Sequence, residues 1–286
     1  MRSFQQALLS LLRHARSLDR ERLMALTCLM RSQLVGPAEP FYDFVEMGGR
    51  PWSFSLVHDL GKLAAAGWII SADGLVAAGP RLNGSTTQQA ASWALAEALP
   101  GWWRGVRRLR PDALRSRCAR CRPAAGAHLG RDAPTAGPAV MTAGYQGLSL
   151  EAFLGRLLQA GIMMLIDVRA HPTARRFGFH RSTLARSCRA VGIRYEHVPE
   201  LGIGTDQRRG QTAPAQRQRL FRHYLRTVLA DHPAALVTVT AWMRESPAVL
   251  VCLEADPMDC HRTHLGRLLA ETLERPLIDL GSLAAR

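Results

Sequence analysis

The residues best able to do chemistry crowd into one late segment, CLEADPMDCHR, where two thiols, carboxylates, an imidazole and a guanidinium lie between Cys252 and Arg262. Cys260 opens a predicted helix, a position where the macrodipole and free N–H groups lower a thiol pKa. His261 adjoins it and His264 lies one turn on. Three readings stand for Cys260, His261 and Arg262: a reactive thiolate, a metal ligand set completed by Cys252, or a cluster that shapes an anion site. C-x7-C-H is not a standard zinc signature. Phosphatase and sulfurtransferase loops need a longer backbone cradle between Cys and Arg. The reading therefore requires no cofactor and assigns no metal ligand, with zinc left open. Cys118-x-x-Cys121 with His128 is half a zinc site by spacing, and coincidence in a loop is the preferred account of it.

Other polar residues stand where predicted strands end. Asp167 and Arg169 close IMMLIDVR, His197 and Glu200 lie in IRYEHVPE, and Glu254 follows AVLVC. In open parallel sheets ligands bind beyond the carboxyl ends of the strands. The expected catalytic set is thus Asp167, Arg169, Glu200, Glu254, Cys260, His261 and Arg262. Tyr145, Gln146, Arg175, Arg176 and His197 are expected to hold substrate, Tyr145 or His197 by stacking on a base. Each has a plainer alternative: Asp167 as a cap, Glu200 as an ion-pair partner.

The elements that must position these residues begin at Val140. VMTAGY, SLEAFLGRLLQAG, IMMLIDVR, HRSTLARSCRAVG and IRYEHVPE alternate strand and helix. Helices over about 214–231 and 233–245, the strand AVLVCLE, the helix CHRTHLGRLLAETL and the strand PLIDLG follow. The strands are apolar almost throughout, the mark of burial on both faces. The fold expected is α/β, a mainly parallel sheet of about five strands with helices on both faces, preceded by a mostly helical winged-helix-like N-terminal domain. The divisions read from composition are 1–85 winged-helix-like, 86–122 basic helical extension, 123–139 Ala/Gly/Pro linker and 140–286 catalytic.

In the first half, helices are predicted over about 4–16 and 19–31, Asp19 capping the second, with a break at Gly36 to Pro40. A further helix starts at Ser53 or Ser55 and ends at Gly67. WIIS and LVAA then flank Asp73-Gly74, a hairpin turn. Helix, helix, helix, hairpin is the order of a winged helix-turn-helix, and FYDFVEMGGRPWSFSLVHDLGKLAAAGWI resembles a winged-helix-like module of bacterial proteins. A helical protein-interaction domain is the alternative. Arg50, Lys62, Arg104, Arg107, Arg108 and Arg110, with Trp102 and Trp103 interleaved, are the expected DNA contacts.

Charge supports a polyanionic partner: 37 Lys+Arg against 23 Asp+Glu give +14 over 286 residues, and Lys62 is the sole lysine. Six cysteines in no framework pattern suit a reducing compartment, the cytoplasm. The N-terminal MRSFQQALLSLLRHARS reads as a surface helix and not a signal, and no apolar run approaches the roughly 20 residues of a membrane span.

GYQGLS, DVRAHPTARRFGF, HVPELG and CLEADPMDCHR resemble the signatures of the family called domain of unknown function 488, over about residues 141–275. Ala174 departs from it, a serine being more usual there. The resemblance implies an α/β domain suspected of enzymatic activity, with no single reaction attached. Joined to the charge, it leads to the expectation of a DNA-acting hydrolase, a monofunctional DNA glycosylase of DNA repair that excises a modified or damaged base. The alternatives are a DNA-binding sensor with a Cys/His effector site and a metal-dependent nuclease.

Overall fold

The computed structural model describes residues 1–36, 39–84, 93–120, 137–210 and 213–281. The chain forms two compact units, Met1–Gly130 and Arg131–Arg286. The first runs α1 (Ser3–Ala15), β1 (Ser17–Asp19), α2 (Arg20–Gln33), β2 (Val45–Met47), β3 (Arg50–Trp52), α3 (Phe54–Ala65), β4 (Ile69–Ala72), β5 (Leu75–Ala78), α4 (Pro80–Asn83), α5 (Trp93–Val106) and α6 (Pro111–Arg120).

Local chemistry sets several of these boundaries. The Asp19 carboxylate accepts from Arg22 N and the Ser53 hydroxyl from Leu56 N, each satisfying a free donor at a helix start. Asp73 and Gly74 turn the β4–β5 hairpin with both φ angles positive, as a two-residue turn needs. β5 lies between β1 and β4, so three helices and a small antiparallel sheet follow in winged-helix order.

Three features go beyond the sequence reading. β1 is an added strand. Glu46 to Gly49 belong to a second hairpin, β2–β3, whose turn uses Gly48 and Gly49 at φ 59° and 74°. α5 continues through Pro100 to Val106; the proline removes one backbone donor, and burial of Leu99 and Val106 offsets that loss.

Residues of α5 and α6 share one apolar core with α1 and α2. Cys118 is buried in it and its Sγ donates to Ala25 O. Cys121, His128 and most of the 123–139 stretch lie outside the described residues. Arg50, Lys62, Arg104, Arg107, Arg108 and Arg110 are exposed, Arg50 beside Glu21.

The second unit is α/β. Its order is β6 (Val140–Gly144), α7 (Leu150–Gln159), β7 (Met164–Asp167), α8 (Arg181–Ala190), β8 (Arg194–His197), α9 (Thr205–Arg208), α10 (Pro214–Arg226), α11 (Val228–Asp231), α12 (Pro233–Glu245), β9 (Ala248–Cys252), α13 (His261–Leu273) and β10 (Leu277–Asp279). The five strands are all parallel, in the order β10-β6-β9-β7-β8. Side chains alternate between faces along a strand. Val140, Met164, Ile166, Ala248 and Leu250 pack with residues of α10 to α13. The intervening Met141, Leu165, Val249 and Val251 are buried as well, which places cover on the other face, where α7 and α8 belong. Among the described residues no helix is long and apolar enough to cross a membrane.

Candidate functional site

The strand order creates one place where the sheet opens. The chain leaving β7 crosses to β8 on one side, and the chain leaving β9 crosses to β10 on the other. β9 and β7 are neighbours, so their outgoing segments diverge, and a crevice at the carboxyl edge follows from topology. Two polar clusters sit at this edge, on opposite faces. The register sets Asp167 beside Val251, so Asp167 shares a face with Val251, and Cys252 lies on the other.

On the α7/α8 face Asp167 is fully buried and its two oxygens are both engaged. Arg169 donates to them through Nε (2.8 Å) and Nη2 (2.5 Å), and Tyr195 OH donates to Oδ2 (2.6 Å). Arg169 Nη1 also donates to Tyr145 OH (2.6 Å) and Phe179 O (2.9 Å). Tyr145 stacks on Phe179 with ring centroids 4.1 Å apart. A planar guanidinium gripping a buried carboxylate in bidentate fashion holds the 167–179 segment against the sheet. The expected use of Tyr145 as a stacking surface for a base is corrected by this geometry: the ring is buried and Phe179 covers its face.

On the other face the two thiols of the CLEADPMDCHR segment meet. Residues 253–259 fold back so that Cys252, at the end of β9, approaches Cys260 and His261 at the start of α13. Glu254 Oε2 lies 3.1 Å from Cys252 Sγ and 2.9 Å from Cys260 Sγ, and Arg208 Nη1 donates to Glu254 Oε1 at 2.8 Å. His261 Nε2 is 3.0 Å from Val168 O, a carbonyl that only accepts, so that nitrogen carries a proton and Nδ1 presents a lone pair. Nδ1 is 3.8 Å from Cys252 Sγ, 3.9 Å from Cys260 Sγ and 3.0 Å from Arg208 Nη2. The Cys252 thiol is held well below its ordinary pKa chiefly by the hydrogen bond from Cys260, against the opposing effect of burial and with the Arg208 guanidinium adding to the lowering. Burial pushes Cys260 well up, as does the neighbouring Cys252. Glu254 is raised by burial and by the charge on Cys252, yet its side chain keeps 23% of its surface open.

The loop between these thiols is clamped from two sides. Gln146 Oε1 accepts from Ala255 N (3.1 Å) and Gln146 N donates to Leu253 O (2.8 Å). Arg262, wholly buried, donates to Glu254 O (2.5 Å) and Asp279 Oδ2 (3.1 Å). An anion-binding part for Arg262 is corrected accordingly: its terminal nitrogens are spent on the loop and on β10. Gly144 makes the approach possible, since a Cβ there would lie 1.8 Å from Glu254 O.

The remaining expected residues are not gathered here. His197 Nε2 donates to Arg169 O (2.9 Å), and with Glu200, Asp231, His232 and Trp242 the residue lines a different cleft beside β8. Arg175 and Arg176 are exposed on the β7–α8 loop. Arg208, Tyr195, Phe179 and Asp279 were missed by sequence reasoning. Arg208 ends the short α9 within a Gly-rich stretch of sequence that has no periodicity to mark it, and Tyr195 and Asp279 act only through strand register.

An α/β unit with a parallel sheet and a Cys/His/Glu cluster at its topological switch point is the class that fold and site define. Residues 149–269, from α7 into α13, match the family described as Domain of unknown function DUF488. No curated protein and no solved structure matches the chain.

Proposed function

We propose that the protein is a DNA-acting hydrolase whose α/β unit cleaves the N-glycosidic bond of a modified or damaged base, in the cytoplasm. The observation that carries the reading is the place of Glu254: a partly open carboxylate at the switch-point crevice, oriented by Arg208. Glycosidic cleavage passes through an oxocarbenium-like sugar, which an ionised carboxylate stabilises while it positions the attacking water. The target base is flipped out of the duplex to reach such a crevice. Asp167 has no open oxygen for that work and serves as the anchor of the neighbouring strand.

DNA as the partner is supported by the charge of +14 and by the exposed arginines of a first unit with winged-helix order, and the cytoplasm by five buried cysteines that are free thiols. The second unit contains no lysine to form a Schiff base with the sugar, so the activity is monofunctional and leaves an intact abasic strand.

The test is product analysis on duplex oligonucleotides bearing a panel of modified bases. Free base, an alkali-labile strand and no borohydride-trapped adduct are expected. Direct strand scission that needs a metal would establish a nuclease instead, and tight binding without product a sensor.

A further inference from the structure

We infer that Cys252, Cys260 and His261 form a binding site for a divalent d-block cation of the zinc class. Their ligand atoms all lie within 4.8 Å of one another, and all three residues are buried. A tetrahedral zinc ion, with Zn–S about 2.3 Å and Zn–N about 2.05 Å, sets its sulfur and nitrogen ligands about 3.6 Å apart. The two S–N separations here are 3.8 and 3.9 Å, within a few tenths of an ångström of that value, and the two sulfurs lie within 4.8 Å of each other.

Two further observations point to a cation. His261 already has the arrangement that zinc ligation demands: Nε2 is anchored on Val168 O, the tautomer is fixed, and Nδ1 is turned to the sulfurs. The same atoms also draw in positive charge. Arg208 Nη2 is 3.0 Å from Nδ1 and 4.0 Å from Cys252 Sγ, and its Nη1 holds Glu254. A guanidinium that is one-third exposed, on a four-residue helix, can withdraw. Binding then exchanges one cation for another, and the thiols give up their protons as they ligate the ion. The three ligands leave a fourth position for water, with Glu254 as the adjacent carboxylate to accept its proton. The assignment of the ion rests on geometry and not on the bond cleaved, while the part given to Glu254 rests on the function proposed above.

The full-length protein, saturated with Zn2+ and dialysed, should retain one zinc per chain by atomic emission. Its Co2+ form should show sulfur-to-metal charge transfer and the intense visible bands of a tetrahedral site. Cys252→Ser and His261→Gln should lose the ion, Cys118→Ser should keep it, and Arg208→Gln should bind it several-fold more tightly. Should the first two variants fail to fold, alkylation of the wild type decides the matter: zinc should shield Cys252 and Cys260 from iodoacetamide, and a chelator should expose them. No retained zinc, a cobalt spectrum without sulfur charge transfer, or zinc unchanged in Cys252→Ser overturns the site. Zinc bound by a protein that releases no base overturns the function above and leaves the site standing; base released by protein that cannot bind zinc does the reverse.

Discussion

Asp167 and Glu254 follow neighbouring strands of one sheet, yet they sit in opposite circumstances. Asp167 has every oxygen lone pair directed at Arg169 or Tyr195 and no exposed surface. Glu254 has one firm partner, Arg208, and two thiols whose proton count is unsettled by their contact. A buried ion pair with all its bonds made resists any change in its charge, because removing one partner strands the other in a low dielectric. A half-open carboxylate among polarisable neighbours accepts a proton, a cation or a developing positive charge at modest cost. Identical chemistry at two strand ends therefore divides into scaffold on one face and the proposed reactive site on the other.

The sharpest way to break this contrast is Glu254→Gln. Base release in single-turnover assays should fall by about 10²- to 10⁴-fold, with the thermal midpoint almost unmoved. An undiminished rate would leave the carboxyl edge without its proposed reactive group. Asp167→Asn should do the converse, destabilising the fold by about 3–5 kcal/mol in urea titration as Arg169 loses its partner, while folded molecules keep their rate. Lost turnover at full stability would show that the two faces work together. Tyr195→Phe removes one hydrogen bond to the buried carboxylate and should cost about 1.5–3 kcal/mol by the same titration.

The smallest expected effect is alkaline. Burial, helped by the charge of Asp167, pushes the Cys188 thiol up to about 12 and raises Tyr195 too. Both are neutral when folded and ionise more easily when unfolded. Their stabilisation is thus complete below the unfolded thiol value of about 8.5 and declines as the pH rises beyond it. Thermal midpoints from neutral pH upward should trace that decline, and Cys188→Ala should flatten it.

Much of this architecture was legible in the chain. Apolar runs separated by amphipathic stretches give the strands and helices of the second unit, and Asp19 and Ser53 cap helices as their types require. Strand order was not legible, because it depends on which apolar strands find one another across the whole domain. The division between Asp167 and Glu254 was hidden for the same reason: both are carboxylates near strand ends, and only register reveals which face each occupies. The Cys252–Cys260–His261 cluster needed the loop of 253–259 to fold back, a turn that depends on Gly144, Gln146 and Arg262 from elsewhere in the chain.

The sheet order carries one more consequence, for the ribosome. β6 is the first strand of its unit to be made, yet its two neighbours are β9 and β10, whose residues begin at Ala248 and Leu277. More than a hundred residues must emerge before Val140–Gly144 acquires any ladder partner. Pairings this distant in sequence form slowly and leave apolar strand edges bare in the interval. Nascent chains halted before Ala248 should accordingly be protease-sensitive and chaperone-bound through their second unit, with protection arriving in a single late step.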